Sequence, residues 1–132
     1  IGPGSLCTSL SPPLSIEATA DTITRSNATR ILVVKAMTER GETDGYTAGM
    51  HLHKVQEVLG HSSIDAVLLS NTAIPLETMG RYAAAGVQPV INDMQRTIHP
   101  RIVEADICST DDGLIRHDPA KLRVVMRSLM GL

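Results

Sequence analysis

Three short apolar runs punctuate the chain: Ile31-Leu32-Val33-Val34, Ala66-Val67-Leu68-Leu69, and Val87 through Ile91, which contains Pro89. Each is rich in β-branched or aliphatic side chains and bounded by turn signals, so each predicts a strand buried on both faces, as in a parallel sheet. Between the first two, Ala48, Leu52, Val55 and Leu59 recur at helical spacing and stop at Gly60, a natural helix terminator. Between the second and third, Pro75 can open a helix whose apolar face carries Leu76, Met79 and Ala83, and Gly86 can close it,. Two successive βαβ units follow. Upstream, Ile16, Ala20 and Ile23 line one face of a further helix, with Ser11-Pro12-Pro13 predicting a break before it,. Downstream, Ile102 to Ile107 alternates as a fourth, edge-like strand. In the last segment Asp118 is a suitable N-cap, Pro119 takes the first helical position, and Leu122, Val125, Met126 and Leu129 form an apolar stripe,.

Strands alternating with helices predict an α/β sheet with right-handed crossovers, and such sheets bind ligands beyond the carboxyl ends of their strands. Those ends carry Lys35, Met37 and Thr38 after the first run, Ser70 and Asn71 after the second, and Asn92 and Asp93 after the third. Their shared placement, more than their polarity, marks that edge as the candidate site. With no repeat or low-complexity linker, residues 1–132 read as part of one domain,.

Composition narrows the function. The 132 residues are 42% hydrophobic, with no Trp or Phe and only Tyr46 and Tyr82, so the core must be built from aliphatic side chains and Met,. A formal charge of -2 offers no broad basic field for nucleic acid,. No apolar run approaches the roughly 20 residues of a membrane span, and the start, Ile1-Gly2-Pro3-Gly4, lacks both an initiator Met and a signal-peptide layout,. The expected product is soluble and cytoplasmic, a fragment or a processed chain. Cys7 and Cys108 lack CxxC spacing and predict two buried reduced thiols.

Three segments carry candidate chemistry. Gly2-Pro3-Gly4-Ser5 precedes a short helix, and its glycines allow backbone N–H groups to approach an anion,; a plain turn is the alternative, and neither a P-loop nor GxGxxG is present. Met37 through Ala48 is longer than a minimal βα loop requires,. Within it Glu42 and Thr43 can bond a sugar or phosphate and Tyr46 can stack or cap, or all three only cap the next helix. Leu114-Ile115-Arg116-His117-Asp118-Pro119 puts an Arg beside a helix N-terminus, where it can fork onto a phosphate or pair with a surface Asp. His51 and His53, two apart on a helix, face different ways and do not make a metal pair. Asp111-Asp112-Gly113 reads as a turn,. No catalytic residue and no metal ligand is expected.

These segments resemble the gluconeogenesis-factor family, in the superfamily of the 2-phospho-L-lactate transferases. The resemblance rests on Gly2-Pro3-Gly4-Ser5-Leu6 with Thr8-Ser9, on Met37-Thr38 with Gly41 through Ala48, and on Leu114 through Pro119 with Lys121-Leu122. It implies a Rossmann-like, CofD-like α/β fold of which this chain is the C-terminal part, and a cytoplasmic regulatory protein of central carbon metabolism and cell shape that binds a UDP-sugar such as UDP-N-acetylglucosamine. The alternative it implies is a 2-phospho-L-lactate transferase acting on a deazaflavin alcohol. The ligand-binding residues implied are Gly2, Pro3, Gly4, Ser5, Thr8, Met37, Thr38, Glu42, Thr43, Tyr46, Asn71, Arg116 and His117. The family's glycine-rich nucleotide loop lies upstream, so the expected partners are the N-terminal half of the same protein, the UDP-sugar and, as an open case, a second copy. This chain by itself is expected to hold half a site and bind weakly.

Overall fold

A computed structural model describes residues 1–94 and 99–131. After the opening loop, a π-helical turn (Leu6–Leu10) runs into α1 (Ser11–Leu14) and then α2 (Glu17–Arg25). β1 (Ile31–Val33), α3 (Ala48–Leu59), β2 (Ala66–Ser70), α4 (Leu76–Ala84) and β3 (Arg101–Ala105) follow, and β4 (Cys108–Ser109), β5 (Arg116–His117) and α5 (Pro119–Leu129) complete the chain. The main sheet is parallel in the order β1-β2-β3, with Leu32 opposite Val67 and Val67 opposite Ile102. The fold class is the parallel α/β sheet that the apolar runs predict.

The continuous apolar runs resolve into two faces because successive strand side chains point to opposite sides. Leu32, Val34, Val67 and Leu69 pack with Leu52, Val55 and Leu59 of α3 and with Leu6 and Leu14. Ile31, Val33, Ala66 and Leu68 face the other way, onto Ile107, Cys108 and the α5 stripe of Leu122, Val125, Met126 and Leu129. One end of the sheet is pinned by Asp65, which accepts from the Arg30 amide at 2.6 Å and from its guanidinium at 3.2 Å.

Four expectations need correction. The segment 87–91 is not a sheet strand: Pro89 has no N–H to donate, and its neighbours bond instead to the exit of β1, with Thr38 N–H on the Gln88 carbonyl at 2.8 Å and Val90 N–H on that of Ala36 at 2.9 Å. The third strand is β3, the segment read as a fourth. Pro12 and Pro13 do not break the chain's helical path, because they fall in the first turn of α1, where a missing N–H leaves no bond unmade. The expected apolar face of α4 is displaced, with Leu76 89% exposed and Thr78 buried. Of the two thiols only Cys108 is buried, and Cys7 is exposed on the π-helical turn. The helix ends follow their signals: Gly60 turns with φ 92°, and Asp118 accepts from the Ala120 and Lys121 amides at 2.8 and 3.0 Å.

Candidate ligand site at the carboxyl edge of the sheet

Beyond the carboxyl ends of β1 and β2 lie two adjoining cavities. The larger, about 480 Å³, is lined by the polar Lys35, Thr38, Glu39, Arg40 and Glu42 and by Met37, Tyr82, Val87 and Ile115. The smaller, about 210 Å³, is lined by Ser70, Asn71 and Thr72 and by the apolar Ile74, Met79, Val90 and again Ile115. The βα loop after β1, the hairpin β4–β5 and α4 position these groups. The hairpin is docked on α4 by the Tyr82 hydroxyl, which accepts from the Ile115 amide at 3.0 Å, and by Arg81, which donates to the Gly113 carbonyl at 2.9 Å.

The charged wall is a connected network. Lys35 forms an ion pair with Glu39, and the Ser5 hydroxyl donates to Glu42 Oε2 at 2.6 Å, tying the glycine-rich opening loop to the βα loop. Burial acts to raise the Glu39 carboxyl, but the hydrogen bond and charge of Lys35, helped by the polar Ser5 hydroxyl nearby, outweigh it and hold its pKa below the ordinary glutamate value. Glu39 Oε2 is nevertheless buried with no hydrogen-bond partner among the described residues. His117 lies close enough to Lys35 to feel its charge. Burial, reinforced by the Lys35 ammonium and opposed by a hydrogen bond with the Val34 backbone, lowers its pKa, so the ring is held neutral, and its Nε2 is likewise buried without a partner.

The predicted residues divide on inspection. Met37, Thr38 and Glu42 line the larger cavity and Asn71 the smaller, while Ser5 joins the network through Glu42 and His117 lies near Lys35. Thr38 and Thr43 are buried, and their hydroxyls are engaged internally: Thr38 Oγ1 accepts from the Gln88 amide at 3.0 Å, and Thr43 Oγ1 from the Glu39 amide at 2.8 Å. Gly2 turns with φ 80° against the Val33 carbonyl, where a Cβ would come within 2.7 Å, so its freedom serves the chain's own backbone. Pro3 is exposed, Gly4 packs near Leu10, and Thr8 is exposed with its amide on Ser5 Oγ. Tyr46 stands edge-on to His51, beside a separate recess shared with Met50, His53 and Lys54. Arg116 alternates away from Ile115 and His117 on the hairpin and is exposed, its guanidinium 3.6 Å from Asp112. Of the strand-end residues, Asn92 and Asp93 turn elsewhere, donating to Glu104 and accepting from the Gly49 amide at the start of α3.

The site wall also includes groups the sequence reading passed over. Glu39 and Arg40 lay inside the marked loop, so their position was the available signal. Ile115 lay inside the marked Leu114–Pro119 segment, whereas Tyr82 had no such signal, because a helix residue and a hairpin residue meet there only through tertiary packing.

The sequence profile of the 2-phospho-L-lactate transferase CofD family matches residues 1–108. The chain belongs to that family. Among curated relatives it is 38% identical over 135 residues to a putative gluconeogenesis factor of Nostoc sp., covering 99% of this chain and 30% of that protein. It is 33% identical over 130 residues to the gluconeogenesis factor of Listeria innocua, covering 98% and 40% respectively. A crystal structure of a UPF0052 family member from Bacillus halodurans superposes with a TM-score of 0.88 at 31% identity, covering 95% of this chain and 41% of that one. This CofD-family chain thus spans about two-fifths or less of the length of these relatives. Among the described residues no helix is long and apolar enough to cross a membrane, and no group of three or more His, Cys, Asp or Glu is arranged to hold a metal ion.

Proposed function

We propose that the intact protein is a gluconeogenesis factor, a cytoplasmic regulator of central carbon metabolism and cell shape that binds a UDP-sugar such as UDP-N-acetylglucosamine at the edge described above. The observation that carries this reading is the division of that edge into a charged compartment and an apolar one. Lys35 and Arg40 offer cations to a diphosphate, and Glu39 and Glu42 offer acceptors to a sugar, with Ser5 holding Glu42 in place. The apolar compartment suits a planar ring. Arg116 adds an exposed guanidinium on the neighbouring hairpin, free to swing from Asp112 to a phosphate. Because the chain spans so little of its relatives, the remaining ligand contacts are assigned to the rest of the same protein, and a self-associated form is part of the proposal.

The family profile favours a second reading, transfer of a phospholactyl group onto a deazaflavin alcohol. Calorimetry of the intact protein with UDP-N-acetylglucosamine, run beside an assay with the deazaflavin alcohol and its activated phospholactate donor, separates the two. Saturable heat with the nucleotide sugar and no product in the assay supports the first reading. Product formation without nucleotide-sugar binding replaces it with the second.

A further inference from the structure

Residues 110–115 connect β4 to β5, and the base of this hairpin is held quite differently from its turn. The base is fixed to the interior. Ile107 and Cys108 are fully buried, and their amides donate to Thr72 Oγ1 at 3.2 and 2.9 Å. The Cys108 carbonyl accepts from Lys121 at 2.7 Å, and the Ile107 carbonyl from the Asp118 amide at 2.8 Å. The turn satisfies its own backbone: the Asp111 amide donates to Ser109 Oγ, that of Gly113 to the Thr110 carbonyl and that of Leu114 to Asp112 Oδ1. Among the described residues, the hydrogen bonds that tie residues 110–115 to another element both go to α4. The Ile115 amide donates to the Tyr82 hydroxyl at 3.0 Å, and Arg81 donates to the Gly113 carbonyl at 2.9 Å. Gly113 leaves room for the second bond, since a Cβ there would fall 2.3 Å from Arg81 Nη2.

From this we infer that residues 110–115 are a strap latched to α4 by Arg81 and Tyr82, and that its release opens both cavities at once. Ile115 borders both cavities, so the strap is a shared part of their lining. Swinging it away breaks no hydrogen bond inside the turn and none at the buried base. What is lost is the pair of latch bonds and the packing of half-buried Ile115 against the core beside Ile107 and Cys108. A typical side-chain hydrogen bond shifts an equilibrium by about two- to tenfold. The latched form therefore prevails while a local opening stays within thermal reach, as for other lids that admit a ligand. Arg81 and Tyr82 are positioning residues in this scheme, acting on ligand passage through the strap.

The experiment has a ligand-free arm and a kinetic one, both on the intact protein. Residue-resolved amide exchange compares wild type with Arg81→Met, a substitution on the exposed side of α4. Arg81 bonds Gly113 and not the Ile115 amide, so Ile115 should exchange about two- to tenfold faster only if the strap releases as one unit. Ile107 and Cys108 should keep their wild-type rates. Unchanged exchange at Ile115 overturns the inference, as does equal acceleration at Ile107 and Cys108, which would mean that the whole hairpin unfolds. The kinetic arm rests on the nucleotide-sugar reading and follows UDP-N-acetylglucosamine by stopped flow in wild type, Arg81→Met and Tyr82→Phe. Association and dissociation should accelerate together, because a gate is passed in both directions. Faster exchange with unchanged ligand rates overturns the gating role, and so does faster dissociation alone in Arg81→Met, the mark of a direct ligand contact. Absence of binding to wild type overturns instead the functional reading, and the exchange arm then decides the strap by itself.

Discussion

Replacing Thr43 by Val separates a structural role for this residue from a ligand-binding one. Thr43 is fully buried, its Oγ1 accepts the Glu39 amide at 2.8 Å, and its own amide donates to the Glu39 carbonyl at 2.8 Å. This double bond pattern closes the turn that presents Glu39 and Glu42 to the larger cavity. Val fills the same volume but cannot accept a hydrogen bond, so the Glu39 amide loses its partner in a water-poor turn, at about 1–3 kcal/mol. Ser retains the hydroxyl and gives up one methyl group, about 0.8 kcal/mol. Val should therefore be the more damaging substitution, the reverse of the order that hydrophobic burial alone would give. Urea unfolding followed by far-UV circular dichroism measures both variants, and amide exchange at Glu39 should accelerate in the Val variant. UDP-N-acetylglucosamine affinity should fall along with stability. A Val variant as stable as wild type, or more stable than the Ser variant, would refute the reasoning; lost affinity at unchanged stability would place Thr43 in direct contact with ligand.

Removing the α5 cap by Asp118→Ala should cost about 0.5–2 kcal/mol in unfolding free energy, since two helix-start amides lose their acceptor. Arg116→Ala should weaken UDP-N-acetylglucosamine binding by roughly ten- to a hundredfold if the guanidinium meets a phosphate. Its stability loss should stay within about 1 kcal/mol, because the ion pair with Asp112 is exposed,; unchanged affinity in calorimetry removes Arg116 from the site. For Asp65, burial acts to raise the carboxyl, but hydrogen bonds and charge from Arg30 outweigh it and hold its pKa below the ordinary 3.8. A depressed folded pKa means stability that is present above that value and lost as pH falls through the lower folded one, so Asp65→Asn should flatten the acid limb of a stability-versus-pH curve. His117, also depressed in the folded state, contributes stability present above 6.5 and lost as pH falls below it,. His117→Phe should remove that part of the slope in thermal melts taken between neutral and mildly acid pH.

Much of the architecture was legible in the residues themselves. Ile31 to Val34 and Ala66 to Leu69 are apolar at every position, which only a strand covered on both faces tolerates, and both sit in the parallel sheet. Gly60, Asp118 and Pro119 act through the backbone within a turn of where they stand, so the limits of α3 and α5 followed from local chemistry. The βα loop was marked by its length and by its run of polar and glycine residues. Other features depended on contacts remote in sequence. Val87 to Ile91 has the composition of a strand, yet the position beside β2 went to Arg101–Ala105, whose unbroken amides complete a five-residue ladder that Pro89 would interrupt. Whether Thr38, Thr43 and Arg116 face a cavity, the interior or solvent was set by the partners that packing brought to them: Gln88, Glu39 and Asp112. Local spacing determined which segments border the site, because periodicity and capping are short-range. Only the tertiary structure decided that Ile115, from a hairpin more than thirty residues past Tyr82, borders both cavities, because that meeting depends on α4 and the hairpin docking against each other.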